Sequence, residues 1–253
     1  MIIVGNGRVG GGLKLRADRL GVQAAVVSRS SGWAEVRPTV SGPILVCTNA
    51  DDLEDIIHST PADRLRDLVF IQNGMLDTFL AQHGCQGNTR GLLYFAVPKR
   101  GLEPQPGEES VFSGPHAETM TRLFASLDLA ARGVVRSEFS NEMASKLIWN
   151  CVFGLLCDVF DQPVGWVCTE ERGAVDALVA ELVEVVNRGI GTTIKANPTS
   201  DDLVSYSMSI PSYQGTLKQW VWRNGWFVEA ADRLKFKTPI HDEFLVGRRP
   251  VGR

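Results

Sequence analysis

The sequence opens on an apolar strand pattern that runs directly into a glycine loop, MIIVGNGRVGGG, and then into a helix pattern. In this setting Gly5 permits a tight turn, Gly7 lets the backbone approach a pyrophosphate, and Gly10 lets the helix lie close to the strand. The helix N-terminus then offers free N–H groups to the phosphates. A glycine-rich turn that binds nothing is the alternative. We expect the whole loop to bind a dinucleotide, through Gly5, Asn6, Gly7, Arg8, Val9 and Gly10.

The end of the second apolar run, QAAVVSRSSGW, bears on which dinucleotide would bind. Proteins that bind NAD usually place an aspartate or a glutamate there, where it holds the ribose hydroxyls. This run has no acidic residue and instead places Arg29 between serines. An arginine can pair with the 2′-phosphate of NADP. We therefore expect NADP(H) rather than NAD(H), with Arg29 as a cofactor ligand. A solvated surface arginine is the alternative.

Strand and helix patterns divide the sequence into two halves. Up to about residue 135, short apolar runs alternate with short amphipathic stretches, as in βαβ units. The runs are MIIVG, QAAVVS, PILVCT, DLVFIQ and RGLLYFAV. Long helical patterns follow, one of them SYQGTLKQWVWRNGWFVEAADRLKF, with an interruption at Asn224–Gly225. The sequence therefore predicts an α/β Rossmann-type N-terminal domain over residues 1–137, followed by an all-α C-terminal domain over residues 138–253.

Composition argues against several kinds of partner. The 253 residues carry a net charge of −3, which gives no preference for nucleic acid or for an anionic membrane. No apolar run reaches the length that a membrane span needs. The strand pattern begins at the first residue and leaves no room for a signal peptide. We therefore expect a cytoplasmic protein.

The cysteines and histidines show no metal-binding pattern. None of the five cysteines belongs to a CxxC pair, so free thiols in a reducing compartment are expected. The four histidines are scattered without ligand spacing, and we expect no metal site. They are His58, His83, His116 and His241.

A polar pair interrupts the most apolar helix pattern, NEMASKLIWNCVFGLLCDVF. Lys146 and Asn150 are four residues apart, so their side chains project from the same face of the predicted helix. A snorkelling lysine and an asparagine in an interhelical hydrogen bond are the structural alternatives. An ammonium and a carboxamide on one face could also serve a reaction, with the lysine as an acid.

Three motifs beyond the glycine loop are more specific: IQNGM, SKLIWNC and YSMSIPSYQGTLKQWVWRNG. Together they resemble the ketopantoate reductase (2-dehydropantoate 2-reductase) family. IQNGM is similar to the family's Gln-Asn-Gly turn near the nicotinamide, and SKLIWNC to its Lys-Leu-x-x-Asn helix. The third is similar to its Ser-Ser-Met segment leading into Glu-Ile-Asp-x-x-Asn-Gly. The resemblance spans essentially the whole chain in the same order.

The resemblance implies a Rossmann domain followed by a helical domain, and reduction of a small 2-oxo acid with NADPH. Carried over by position, it implies that Lys146 is the general acid and that Asn73 lies beside the nicotinamide and the substrate. For Asn73 a simple turn residue is the alternative. The resemblance also implies substrate contacts from Asn150, Ser207 and Gln219.

Several positions depart from the family's pattern. Gln219 stands where the family has its active-site glutamate, and Gly154 and Val164 stand where it has asparagines. Asn49 replaces a lysine, and the segment from residue 29 to residue 43 is shorter than usual. The cofactor features therefore match the family better than the substrate features do.

These observations leave two main hypotheses. The first is an NADPH-dependent reductase, in which the Lys146 ammonium would donate a proton to a ketone oxygen and stabilise the developing oxyanion. The second, motivated by the departures, is a catalytically impaired NADP(H)-binding sensor or interaction protein of the same fold. A structural relic without nucleotide is a third. A small-molecule partner is expected, and a homodimer stays open.

Overall fold

The computed structural model describes residues 1–33, 42–105 and 107–249 of the chain. The chain forms two compact units, Met1–Phe139 and Ser140–Arg253. The predicted shortening between residues 29 and 43 falls largely on residues 34–41, which lie outside the described residues.

A seven-stranded sheet forms the centre of the first unit. Its order in space is β2-β1-β3-β4-β5-β6-β7, and all neighbouring strands are parallel except β5 and β6. Because the order reverses between β1 and β3, the sheet is doubly wound, and the predicted Rossmann-type fold of this unit is confirmed. The strands are β1 (Ile2–Val4), β2 (Ala25–Val27), β3 (Ile44–Val46), β4 (Leu68–Phe70), β5 (Thr89–Leu92), β6 (Ser110–Ser113) and β7 (Ala131–Gly133).

Four helices of the described residues connect these strands. Leu13 and Ala17 of the first helix are four residues apart, so both point towards the sheet, where they join Ile3 in the buried core of the unit. This packing fixes the first helix against β1 and positions the glycine loop between them. The helices are α1 (Arg8–Arg19), α2 (Leu53–Ser59), α3 (Asp77–Gln82) and α4 (Ala117–Ala125).

The second unit is helical. In its described residues no strand occurs, which confirms the predicted all-α second half. A repeat of buried residues three and four apart, from Val175 to Val186, gives its central helix α7 an apolar face that contacts α8, α9 and α10. The helices are α5 (Arg136–Phe160), which begins in the first unit, α6 (Val164–Glu170), α7 (Arg172–Ile190), α8 (Ala196–Ser209), α9 (Asn224–Leu234) and α10 (Pro239–Phe244).

Helix α5 corrects one expectation from the sequence. Its 25 residues include an 18-residue window of mean hydropathy 1.4, so by length and composition it could cross a membrane. No run of that kind was expected. However, 61% of the window is buried inside the protein. This is the behaviour of a core helix, whose apolar surface is covered by its own chain.

The long helical pattern predicted over residues 212–236 is only half helical. Helix α9 begins at Asn224, a 3-10 turn occupies Trp220–Trp222, and residues 212–219 are irregular. The physical reason lies in the hydrogen bonds of this segment. The carbonyl oxygens of Pro211 and Tyr213 accept bonds from the first turn of α6 rather than from a helix of their own, and Gln219 has a left-handed backbone with φ of 52°.

Candidate cofactor and substrate site

The glycine loop has the geometry that its sequence predicts. Gly5 has φ of 101°, and its N–H donates to the Val27 carbonyl at 2.8 Å. A Cβ at Gly10 would overlap the Gly5 carbonyl oxygen, whereas a Cβ at Gly7 would meet nothing within 4 Å. Gly7 is the N-cap of α1, and no side chain caps this helix end. The loop therefore presents uncapped N–H groups beside open space, which fits a bound pyrophosphate.

Buried polar groups border the crevice at the carboxyl edge of the sheet, where the loops after β1 and β3 diverge. Gln72 follows β4 and donates from Nε2 to the carbonyl oxygens of Val46 at 2.8 Å and Thr48 at 3.2 Å. It thereby fixes the chain that leaves β3. Among the described residues, Gln72 Oε1 and Thr48 Oγ1 are buried without a hydrogen-bond partner. Such atoms fit an edge that a bound polar molecule completes. The sequence did not indicate this role of Gln72.

The IQNGM motif forms a turn on this same edge, between β4 and α3. Gly74 has φ of 113°, a value that favours glycine. Asn73 is half-buried and precedes it. The turn is therefore as expected, and a position of Asn73 beside a nicotinamide stays a prediction.

Arg29 lies on the surface after β2, with a side chain that is 93% exposed. Its Nη2 donates to Asp52 Oδ1 at 3.0 Å. Asp52 is the N-cap residue of α2 but makes no side-chain capping bond there. Because an exposed ion pair contributes only about 0–1 kcal/mol, a 2′-phosphate could displace this carboxylate. The Ser28 hydroxyl lies 2.9 Å from that of Ser30, within reach of the same ligand.

A second arginine lies against the glycine loop and was not indicated by the sequence. Arg100 donates from Nη2 to the carbonyl oxygen of Asn6 at 3.2 Å. Arg8 is exposed in the first turn of α1. Two guanidinium groups therefore flank the N-terminal end of α1, which adds to the positive potential that this helix end presents to a phosphate.

The polar pair of α5 lies on one helix face, as predicted. Lys146 and Asn150 are both half-buried. Asn150 donates from Nδ2 to the Lys146 carbonyl oxygen at 2.7 Å. Since one N–H of its amide is engaged, the other N–H and the side-chain oxygen of Asn150 are left for a ligand.

A narrow recess beside α5 lies wholly within the second unit. No acidic side chain lines it in the described part of the chain. Its wall therefore combines positive charge, an amide and aromatic rings. The residues that line it are Trp149, Asn150, Phe153, Gly154, Tyr213, Gly215, Thr216, Lys218 and Arg223.

The irregular stretch between α8 and the 3-10 turn, hereafter the 211–218 segment, contacts Gly154 and Val164, the two positions where the family has asparagines. A Cβ at Gly154 would already lie 3.0 Å from the Thr216 carbonyl oxygen, in the direction that an asparagine side chain would take. Val164 is fully buried, and its N–H donates to the Tyr213 carbonyl at 3.0 Å. The 211–218 segment therefore lies where a side chain at position 154 would project, and it binds the backbone of Val164.

Ser207 and Gln219 occupy different settings from the recess. Ser207 is fully buried, donates to the Leu203 carbonyl at 2.8 Å and accepts from Trp149 Nε1 at 2.9 Å. Its hydroxyl thus orients the Trp149 ring at the recess wall. Gln219 is half-buried, and neither residue lines the recess in the described part of the chain. Their substrate contacts stay predictions.

The cysteines are free thiols in this structure. Burial raises the pKa of the thiol of Cys47, beside the glycine loop, and that of Cys151 on α5. Both are therefore protonated at neutral pH and are poor nucleophiles.

Three potential ligand groups meet that are far apart in the sequence. Glu54, His58 and His83 have ligand atoms that all lie within 4.8 Å of one another. With Nδ1 of His83 donating to the Phe79 carbonyl at 2.9 Å, its Nε2 carries the lone pair and lies 3.9 Å from Glu54. This set could hold a metal ion, a juxtaposition that sequence spacing does not reveal. The expected lack of a metal site stays a prediction.

Comparison with known proteins places the fold. No family model matches the sequence, and no curated protein matches it either. Solved structures of ketopantoate reductases do share the fold. That of 2-dehydropantoate 2-reductase from Methylococcus capsulatus has a TM-score of 0.76 and 16% identity over 97% of this chain and 94% of its own. The structure of dimeric ketopantoate reductase from Staphylococcus aureus has a TM-score of 0.73 and 14% identity over 97% of this chain and 96% of its own.

D-mandelate dehydrogenase in complex with NADH is similar to the same extent. Its TM-score is 0.76, with 14% identity over 96% of this chain and 95% of its own. The chain thus has the fold of the ketopantoate reductases from end to end, which confirms the resemblance that the motifs indicated. At these identities the likeness establishes the fold, and the chemistry rests on the residues of this chain.

Proposed function

We propose that the protein is an NADPH-dependent reductase of a small 2-oxo acid. The observation that carries the proposal is the open, uncapped glycine loop, with Gly7 facing empty space at the start of α1. The second support is the pair of Lys146 and Asn150 on one face of α5. The named activities of the structural neighbours, ketopantoate reductases and a D-mandelate dehydrogenase, support the same class of reaction.

In this proposal each residue has a distinct task. The bound nicotinamide supplies the hydride. Lys146 donates a proton to the ketone oxygen and stabilises the negative charge that develops there. Asn150 donates a hydrogen bond to a substrate oxygen through the amide N–H that does not bind the Lys146 carbonyl. Asn73 borders the nicotinamide at the carboxyl edge of the sheet.

The substrate is expected to differ in shape from ketopantoate. The 211–218 segment lies where a side chain at position 154 would project, and Val164 is a fully buried apolar residue, so neither position offers the amide that the family has there. We therefore propose a smaller or differently substituted 2-oxo acid. A homodimer is proposed on the likeness to the dimeric Staphylococcus aureus enzyme.

The direct test is oxidation of NADPH by the purified protein. A panel of 2-oxo acids that includes ketopantoate, pyruvate and aromatic 2-oxo acids should contain at least one that is reduced at a rate well above the background. The loss of reduced nicotinamide absorbance measures the rate. Tight NADPH binding with no turnover on the whole panel would contradict the reductase proposal.

A cofactor-binding protein without catalysis is the second candidate function. The observation that favours it is the close contact of Gly154 with the 211–218 segment, together with Gln219 in place of the family's glutamate. This candidate predicts NADPH binding that changes an assembly or a partner interaction, and no reduction of any 2-oxo acid. Calorimetry with NADPH alongside the turnover assay separates the two.

Cofactor choice should depend on Arg29. In the Arg29→Ala variant we expect the KM for NADPH to rise about tenfold or more, since a charge-assisted bond to the 2′-phosphate is lost, while the KM for NADH stays unchanged. Asp52→Asn is the matched variant, because it releases Arg29 from its ion pair and should lower the KM for NADPH. Equal effects of Arg29→Ala on both cofactors would show that Arg29 does not read the 2′-phosphate.

A further inference from the structure

Arg223 is a buried cation that lacks a hydrogen-bond acceptor for its Nε among the described residues. It is 4% exposed, and its Nε has no hydrogen-bond partner among them. Burial lowers the pKa of the guanidinium, and the neighbours that raise it are the Cys151 thiol and the Tyr213 phenol rather than a carboxylate. The charge of Arg223 is therefore desolvated without an acidic partner in the described residues.

Two other arginines show how this chain normally buries a guanidinium. Arg16, 7% exposed, donates to the Pro104 carbonyl at 3.1 Å. Arg64, 3% exposed, donates from Nε to the Asp67 carboxylate at 2.6 Å. In both cases the fold supplies acceptors for part of the guanidinium, although Arg64 Nη1 is also buried without a partner among the described residues. At Arg223 the acceptor for Nε is missing from the described residues and the side chain also lines a recess, so a ligand there could complete its hydrogen bonds.

The backbone around Arg223 is fixed from both sides. A Cβ at Gly225 would lie 2.6 Å from Nε1 of Trp220, so the 3-10 turn and the start of α9 are in close contact. Asn224 is 1% exposed, and its side-chain oxygen accepts from His241 Nε2 at 2.8 Å. Because its neighbours in sequence cannot shift easily, the backbone of Arg223 is held in place before any ligand arrives.

The recess that Arg223 lines carries positive charge, and its accessible volume of about 10 Å³ leaves room for one small group of a ligand rather than for a whole substrate. Lys218 adds a second positive charge, and Asn150 adds an amide at the other wall. Lys146 lies one helical turn from Asn150 on the same face of α5. In a 2-oxo acid the carboxylate carbon is bonded directly to the ketone carbon, so a site for this class needs a partner for the carboxylate beside a proton donor for the ketone oxygen.

We infer that Arg223 binds the carboxylate of the substrate, while Lys146 donates a proton to its ketone oxygen. This assignment rests on the reductase function proposed above and specifies its substrate class as a 2-oxo acid anion. A carboxylate would supply the acceptors that the buried guanidinium lacks, and the planar guanidinium can bind both carboxylate oxygens. It also explains how a chain without the asparagines at positions 154 and 164 can still recognise an acid.

The kinetic test uses Arg223→Met, with Arg233→Met in α9 as the matched control, because Arg233 is exposed on that helix. We expect Arg223→Met to raise the KM for the 2-oxo acid about 100-fold, with kcat changed much less, and to leave NADPH binding intact. The corresponding 2-oxo amide, which is neutral, should be affected little by the same change. Arg233→Met should behave as the wild type on both substrates. Unchanged KM for the acid in Arg223→Met would overturn the inference.

A binding test separates this inference from the reductase proposal. Oxamate, an unreactive 2-oxo acid mimic, should raise the thermal midpoint of the wild-type protein and of Arg233→Met, but not that of Arg223→Met. If oxamate stabilises all three equally, the inference fails whatever the enzyme reduces. If only Arg223→Met loses the response but no acid is turned over, the reductase proposal fails and the carboxylate site stands. Should Arg223→Met not fold, Arg223→Lys keeps the charge, loses the paired donors and is expected to weaken oxamate binding about tenfold.

Discussion

Alanine at Gly10 and alanine at Gly7 are expected to fail in different ways. The Gly10 variant should be destabilised by about 3 kcal/mol or more, since its Cβ would overlap the Gly5 carbonyl oxygen and also crowd Ile3 at 3.0 Å. The clash is with backbone, which cannot move aside as a side chain can. The gain of about 1 kcal/mol in helix propensity does not offset it. The midpoint of denaturant unfolding measures the effect.

The Gly7 variant should fold as the wild type does. Gly7 has φ of −79°, which alanine adopts without strain, and a Cβ there meets nothing within 4 Å. That open space is where the pyrophosphate is expected, so NADPH should bind at least about tenfold more weakly, a loss of about 1.4 kcal/mol. Calorimetry with NADPH measures it. Equal NADPH affinity in Gly7→Ala and wild type would mean that the loop does not hold the cofactor.

The first unit was largely predictable because its signals are local. Each apolar run quoted from the sequence became a strand, since a buried parallel strand needs a short continuous apolar stretch. The glycine loop was predictable residue by residue, because turn, approach and packing each demand glycine at a fixed spacing. The hydrogen bonds of Gln72 were not predictable, since they depend on which loops the sheet order brings together.

The second unit was predictable as helical but not in its irregular segment. The pattern over residues 212–236 has helical spacing throughout, and the tertiary bonds of α6 to Pro211 and Tyr213 override it in the first part. In that segment Thr216 contacts Gly154, although the two residues are far apart in the sequence. No spacing rule relates them. The resemblance to the family marked Gly154 and Val164 as altered, and only the fold shows that one segment contacts both.

Arg223 illustrates the limit of motif reasoning. The resemblance drew attention to Gln219, four residues earlier, because the family's motif has a named residue there. Arg223 falls on an unspecified position of that motif. What distinguishes it is burial without a partner for its Nε among the described residues, a property of the folded chain. Similarly, the sequence did not indicate that Arg29 is paired with the Asp52 carboxylate, which a cofactor phosphate would have to displace.

Alanine at position 146 is expected to abolish reduction while leaving the fold and the cofactor site intact. Lys146 is half-buried on α5, and alanine is the best helix former, so the helix should tolerate the change. In the proposed function NADPH binds at the glycine loop in the other unit, so its binding should be retained. Loss of the proton donor and of its charge at the oxyanion predicts a fall in kcat of about 1000-fold.

The comparison that gives this result meaning is Lys237→Ala, which removes an exposed lysine of the same unit and should leave kcat unchanged. Asn150→Ala should fall between them, mainly through KM, because one N–H of its amide binds the Lys146 carbonyl and the other is left for the substrate. Single-turnover kinetics with pre-bound NADPH isolate the reduction step from product release. A Lys146→Ala enzyme with kcat within tenfold of wild type would remove Lys146 as the acid. The source of the proton would then have to be another group, and the polar pair of α5 would be structural.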